Sequence, residues 1–544
     1  MSAIHQVLLA GGGAGYQITN SLRFRASNSA YLSRSFGSPT SNIKWTWSGW
    51  IKRGALGSQQ IFCAGDGSSN NFFAVTYTAS DTIQISQIAS GAYNVQMATT
   101  AVFRDPSAWY HLVVIYDSAN ATSTDRIQIY VNNSRQTVSY STGPFGASTA
   151  CQWNVSGRTH YLRRLDYAAL YGDMYAANET FIDGQALTPS SFGQTDATTG
   201  VWVPKAYSGT FGTNGFFLQF KDAASTTTIG YDTSGNSNNF TTSGISVTSG
   251  VTFDQMTDTP TNNYAVWSPI DRGDTGLDVT NGNLGYTISN AASGFCRASF
   301  SASTGKWYWE LTAGANWTAS PQHGISPVSA VNTGDATSGG GYGFESAATS
   351  RLFANGAATG NYGSQINSGD VLMIAVDFDA GKIWYGKNGT WFGSPAGDPA
   401  AGTNQSQTIS TGVIYAPMFG RDSSNATTTN YVNFGQRAFS YTPPSGFKAL
   451  STANITSTAV STSGTFTGNA AADGPFVWTN GNPATLTING NAVTFGTHAD
   501  KTAGGFKLRS SSSSYNASGS NTWTATAGKR FVQSRKPNNA QVNP

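Results

Sequence analysis

Residues able to do acid–base chemistry are few, and the closest pair is Asp377 and Asp379 in the run VDFDAGK. Two positions apart on a strand puts both carboxylates on one face, and paired carboxylates are what glycoside hydrolysis uses. The Asp-Ala-Gly turn explains the same two residues without catalysis, through aspartates that tie their own backbone. Beyond this pair, 27 acidic residues are spread over 544 positions with little clustering. The five histidines, His5, His111, His160, His323 and His498, stand singly, and none lies beside a serine or cysteine in a nucleophile motif. His111 alternates with Val113 and Ile115, so its position reads as a sheet residue in preference to a base. Cys63, Cys151 and Cys296 are odd in number and far apart, which builds neither a disulfide framework nor a zinc site. The run Gly11-Gly12-Gly13-Ala14-Gly15 lacks the lysine and helix of a phosphate loop. No residue is therefore expected to be catalytic.

The segments that carry these residues have the two-residue period of strands. In GDVLMIAVDFDAGKIWYGKNG, Leu372, Ile374, Val376 and Phe378 share one face and Val371, Met373, Ala375 and Asp377 the other. Asp379-Ala380-Gly381-Lys382 turns the chain, and Asn388-Gly389 closes the returning arm. A strand apolar on both faces belongs inside a sandwich of two sheets. Earlier, KWTWSGWIKRG (Lys44–Gly54), QIFCAGDG (Gln60–Gly67), NFFAVTYT (Asn71–Thr78), TIQISQI (Thr82–Ile88), WYHLVVIYD (Trp109–Asp117) and DRIQIYVNN (Asp125–Asn133) read as successive short strands. The expected class is all-β, with tandem sandwiches and a small C-terminal β-domain.

Composition narrows the function. Charged residues are 10% of the chain against about 25% in an ordinary soluble domain, while aromatics reach 12%. The net charge of +3 is scattered, so no footprint for nucleic acid is expected. Lys529, Arg530, Arg535 and Lys536 form a basic cluster that reads as a solvated tail or as a contact for an acidic partner. Val7-Leu8-Leu9-Ala10 is too short an apolar run for a secretory leader or membrane insertion. Met1–Asn20 reads either as a frayed terminus or as an attachment arm in which Val7, Leu8 and Leu9 add to a neighbouring protein. A hydroxyl-rich protein without a leader and without a disulfide framework suggests release by lysis, as from a virus of bacteria.

Two stretches resemble known families. WYHLVVIYD followed by RIQIYVNN is similar to the neighbouring strands of the laminin-G-like, concanavalin-type jelly roll, over roughly Ser21 to Gly193. That resemblance implies calcium held by loop aspartates. Asp66 in AGDGSSNN is the candidate, although turn chemistry also accounts for Asp-Gly. The E-x-D-x-x-E spacing of concanavalin-like glycosidases is missing from these strands. GKWYWEL (Gly305–Leu311), GGGYGFE (Gly339–Glu345), the GD strand, WYGKNG and the late Tyr441/Pro443-Pro444 region together resemble the SPRY domain, over about Asn263 to Ala453. This implies a bent sandwich that binds macromolecules through rim loops. The residues expected there are Trp317, His323, Tyr342, Phe353, Tyr362, Trp391 and Arg421, each with core packing or a rim turn as its alternative.

The expected organisation is an arm over 1–20, a jelly roll with connector over 21–262, a SPRY-like sandwich over 263–453, and a small β-domain with a polar tail after Phe531 over 454–544. This order resembles that of virion-associated proteins of tailed phages. It implies a tail fibre or appendage on a bacteriophage particle, a homo-oligomer through the sandwiches or the arm, bound to other virion proteins and to a host surface glycan or protein. A decoration or scaffold protein is the alternative, and an envelope-degrading enzyme is disfavoured by the missing carboxylate constellation.

Overall fold

The computed structural model describes residues 15–455, apart from 198, 290–293, 316, 318–320, 335–336, 348 and 422–426, together with the backbone of seven short strands beyond them. The secondary structure of the described residues is strand, apart from five three-residue 3-10 turns. The chain divides into two units: one holds Ala14–Gln194 and Trp202–Asn454, and the other consists mainly of Ile455–Pro544.

The first unit contains two sandwiches. In the first, one sheet runs in the order Ser134–Arg135, Ile127–Val131, Trp109–Asp117, Lys44–Arg53, Met174–Asp183, Ser21–Phe24, Gln255–Met256, with Phe216–Leu218 also on Met174–Asp183. Opposite it lies a sheet ordered Val138–Thr142, Ala92–Thr99, Ile83–Ala89, Phe72–Tyr77, Gln59–Gly65, Thr159–Leu162, Tyr31–Ser35, Thr241–Ser243. Alternation sends Trp45 and Trp47 from one sheet and Phe62, Val75, Ile85 and Met97 from the other into a shared core. Trp47 stacks on Phe62 across it, with ring centroids 4.7 Å apart. WYHLVVIYD and RIQIYVNN are adjacent, with Val114 opposite Ile129. The stretch after Gly200 does not merely connect: Phe216–Leu218, Thr241–Ser243 and Gln255–Met256 join the sheets.

In the second sandwich, one sheet runs Trp267–Arg272, Gly294–Ala298, Tyr415–Arg421, Gln322–Pro327, Tyr342–Glu345, Arg351–Ala354, Ala357–Asn361. The other runs Leu277–Thr280, Gly285–Ile288, Thr428–Asn433, Lys306–Ala313, Val371–Asp377, Lys382–Lys387, Thr390–Trp391, with Gln407–Thr408 alongside Lys382–Lys387. Leu372, Ile374, Val376 and Phe378 enter the inter-sheet core. Val371, Met373 and Ala375 face outward and are covered with Tyr308, Trp384 and Phe447, which makes both faces of that strand dry. Its return hairpin needs left-handed backbone at Gly381 (φ 65°), and the next one at Asn388 (49°) and Gly389 (86°), as an Asn-Gly turn requires.

The outward face of the first sandwich's Lys44–Arg53 sheet is closed off by the second sandwich: Trp50, Trp109, Tyr175 and Ala177 belong to one core with Trp267, Leu284 and Trp309. Polar contacts seal the same seam. Asp254 takes Arg23 Nε at 3.0 Å and Arg25 Nη2 at 2.9 Å, and Arg23 Nη1 donates onward to Asn281 O at 3.2 Å.

All three cysteines are free and buried, and burial pushes each thiol well above its ordinary pKa. The native protein is therefore expected to resist a thiol reagent such as DTNB and to react in full in denaturing urea; rapid labelling of the native protein would contradict this packing.

In the second unit, Phe476–Trp478 pairs with Gly505–Lys507 and with Val532–Ser534. That third strand lies where the sequence reads as a polar tail, so backbone pairing extends past Phe531. Leu486–Ile488 pairs with Asn491–Ala492, and the Asn489-Gly490 turn expected between them lies outside the described residues.

Candidate functional site

Four of the seven rim residues expected in the second sandwich are core. Trp317 lies flat on His323, with centroids 4.6 Å apart and planes at 15°. His323 is wholly buried, meets the Tyr286 hydroxyl through Nε2, and is pushed by burial down to about 3, so it is neutral. Phe353 is buried under the Arg351 guanidinium at 5.2 Å. Arg421 is buried and donates from Nη1 to Ser289 O at 2.9 Å. His323 and Arg421 sit on strands whose two-residue period turns them inward, and Trp317 fills the space beside His323; Phe353 turns outward, since its neighbour Leu352 takes the core side, and is buried on that face beside Arg351.

Tyr342, Tyr362 and Trp391 remain half-buried. The first two meet one segment, with Tyr342 Oη 3.3 Å from Ser410 Oγ, and Tyr362 Oη 2.8 Å from Ser406 Oγ. Trp391 packs with the separate outer cluster around Tyr308. The seven do not form one site.

The acid–base candidates are also accounted for by structure. Asp377 accepts from Ala380 N at 2.9 Å and pairs with Lys306 at 3.3 Å, while Asp379 accepts from Gly305 N at 3.0 Å. Both hold the hairpin mouth. His111 receives the indole hydrogen of Trp202 on Nδ1 at 2.9 Å, so its own proton must sit on Nε2, donated to Ser48 Oγ at 2.8 Å. A histidine in that tautomer has no lone pair facing the serine and cannot act as its base. His160 is the mirror case, accepting from Asn154 N on Nε2 at 2.9 Å. Asp66 accepts from Ser68 Oγ at 2.7 Å, from Asn71 Nδ2 at 2.8 Å and from Ser68 N at 3.0 Å, and these bonds, that of the Ser68 hydroxyl first, hold its carboxyl below the usual range. Its oxygens serve a turn. Among the described residues, no three His, Cys, Asp or Glu side chains gather as metal ligands. Val7, Leu8 and Leu9 lie outside the described residues; the arm after them is tied down, since Thr261 Oγ1 donates to Ile18 O at 2.8 Å and Asn178 Nδ2 to the Tyr16 hydroxyl at 2.8 Å.

The surface best suited to a ligand is the outward face of the first sandwich's other sheet, which the second sandwich does not cover. Because Leu32, Phe62, Val75 and Leu162 turn inward, Ser33, Cys63, Ala74 and Tyr161 turn outward in one row. The turn from Arg163 to Tyr171 folds back over part of this row, closed by Leu165 N donating to Leu170 O at 2.9 Å. Leu165 and Leu170 seat on Cys63, Phe72 and Ala74. Tyrosines surround them. Tyr31 meets Tyr161 edge-on at 5.8 Å and stacks with Tyr171 at 6.3 Å, Tyr167 leans on Phe72 at 4.9 Å, and Tyr93 is exposed nearby. Phenol rings among hydroxyls and amides suit the C–H faces and hydroxyls of sugars. Sequence reasoning missed this face. Its signal was Tyr161, Tyr167 and Tyr171 grouped in YLRRLDYAALY, which spacing alone does not place on an uncovered sheet.

Residues 25–179 match the Concanavalin A-like lectin/glucanases superfamily, of laminin G type. This covers the heart of the first sandwich and less than half of the chain. Among solved structures, the chain is similar to the SPRY domain of human HERC1 (19% identity, 30% of this chain and 96% of that one, TM-score 0.25). It is similar also to a native heptameric SAP-like pentraxin from Limulus polyphemus (14%, 32% and 80%, 0.25) and to the TRIM65 PSpry domain (13%, 31% and 92%, 0.23). No curated protein matches the chain.

Proposed function

We propose that this chain is a non-enzymatic recognition protein of a bacteriophage virion, a tail fibre or related appendage that binds the host cell surface. The observation that carries the binding role is the tyrosine-framed outward face of the first sandwich. It is an aromatic and hydroxyl-bearing surface on a lectin-type fold, while the acids and histidines that could have run a reaction are engaged in turns and cores. The virion assignment rests on the chain's composition and on the order of its β-domains. Purified protein is expected to sediment saturably with host cells and to be released by extracted envelope polysaccharide. Release of reducing ends from that polysaccharide would instead establish a hydrolase. Labelling of this protein on intact particles is expected to mark the tail.

The second reading, attachment to a neighbouring virion protein, is favoured by a separate apolar patch. Ile270 is 62% exposed, Val331 74% and Ile414 40%. One loop gathers them, since Val328 N donates to Ile414 O at 3.0 Å and Asn332 Nδ2 to Asp271 Oδ1 at 3.0 Å. Exposed aliphatics held on a rigid edge favour contact with protein over sugar. The two surfaces are compatible with one appendage that is anchored by one sandwich and reads with the other.

A further inference from the structure

We propose that Arg164, on the outward tyrosine face of the first sandwich, is an anion subsite that takes the carboxylate of an acidic polysaccharide. This rests on the envelope-recognition reading and specifies its ligand. Five buried arginines of the unit have carboxylate partners: Arg23 and Arg25 meet Asp254, Arg53 meets Asp81, Arg297 meets Asp271, and Arg163 meets Glu179; Arg421 and Arg437 donate to backbone carbonyls instead. Arg164, the next residue after Arg163, makes neither an ion pair nor a hydrogen bond through its side chain among the described residues, and its Nε is buried without a partner. The adjacent acid, Asp166, lies near enough to feel the Arg164 charge but does not pair with it, and its Oδ2 accepts from Gly67 N at 2.5 Å.

What holds Arg164 is aromatic. Its guanidinium carbon lies 4.8 Å from the Tyr161 ring centroid and 5.1 Å from that of Tyr31. The two rings, 5.8 Å apart and edge-on to each other, crowd one side of the guanidinium and shed water from it, while the terminal nitrogens, which have no hydrogen-bond partner among the described residues, stay available. A planar, fixed and half-desolvated fork is complementary to a carboxylate, which it can bind through two parallel hydrogen bonds. Tyr31, Tyr171 and the hydroxyls of Ser33, Ser35 and Thr159 lie on the same side of the sheet, where the sugar ring bearing that carboxylate would rest. A uronate polymer offers both parts, an apolar ring face and an in-plane anion. A neutral glycan would leave the guanidinium unmatched.

The test compares polygalacturonate with its methyl ester, which keeps the ring and removes the charge, by affinity electrophoresis at fixed ionic strength. Wild type is expected to bind the acid form at least tenfold tighter than the ester, as one charge-assisted bidentate contact supplies. Arg164→Gln is expected to erase that preference while leaving ester binding unchanged, and Arg164→Lys to restore part of it. Equal binding of the acid form by wild type and Arg164→Gln would overturn the subsite and leave Arg164 as packing between rings. Wild type that binds host cells but neither polymer overturns the subsite and spares the recognition reading. Wild type that binds neither cells nor polymers overturns both. An unchanged urea midpoint for Arg164→Gln shows that a lost preference is not lost folding.

Discussion

Replacing Asp258 by alanine is expected to cost about 3–5 kcal/mol of stability and to loosen the two sandwiches together. Lys52 reaches across the seam from the first sandwich: its Nζ donates to Asp258 Oδ2 at 2.8 Å, to Asn263 Oδ1 at 2.8 Å and to Tyr264 O at 3.2 Å, and both charged side chains are fully buried. The carboxylate's other oxygen takes Trp109 Nε1 at 3.1 Å. Removing Asp258 leaves a buried ammonium with only neutral acceptors and an indole hydrogen with none, so desolvation already met in the native structure is no longer offset. Replacing both members by apolar residues, Lys52→Met with Asp258→Leu, removes the charge as well as its partner and is expected to recover most of the loss. Urea unfolding of the wild type, both single variants and the double measures the coupling. A drop below 1 kcal/mol for Asp258→Ala would show that water reaches the ammonium and that the seam is not sealed there. The same variant is expected to become cleavable between Thr257 and Tyr264, the segment that the pair pins.

Periodicity read the strands well because alternation is local. The inward set Leu372, Ile374, Val376 and Phe378 and the second dry face with Met373 and Ala375 follow from a two-residue period, and the Asn388-Gly389 turn from its need for left-handed backbone. The same reasoning does not tell which face another element covers. Trp317 looks like a rim aromatic until the opposite sheet is placed over it, Phe353 until its own strand's Arg351 is laid beside it, and Tyr31 and Tyr161 look like core until no sheet is placed there. Lys52 shows the limit most plainly. In KWTWSGWIKR it reads as a strand's polar outward member, and so it is, but a second sandwich lies on that outward side and the segment linking the two supplies an aspartate 206 positions away. Arg164 was equally hidden, since an arginine without an ion pair among the described residues can be recognised only after the acids around it have been placed.

Lowering the pH below 6.5 is expected to destabilise the first unit steeply, before most carboxylates titrate. His111, His160 and His323 are fully buried, and burial pushes each down to about 3. In the unfolded chain each regains an ordinary value of about 6.5. Above pH 6.5 neither state binds the extra proton, so the histidines contribute no slope. Between 6.5 and 3 only the unfolded state binds it, which pulls the equilibrium toward unfolding as pH falls, by about 1.4 kcal/mol per unit for each histidine and about 4 for the three. From pH 6.5 to 5 the summed loss is about 5 kcal/mol, comparable with the whole stability of many domains. Structure explains why none escapes by accepting the proton: Nδ1 of His111 already takes the Trp202 hydrogen, Nε2 of His160 takes Asn154 N, and the ring of His323 is enclosed between Trp317 and the Tyr286 hydroxyl. Urea midpoints at pH 7.5, 6.0 and 5.0 give the slope, and His111→Gln should remove about a third of it whatever that variant costs at pH 7.5. An identical slope in the variant, or a flat profile down to pH 4.5, would assign acid unfolding to the carboxylates and place water against these rings.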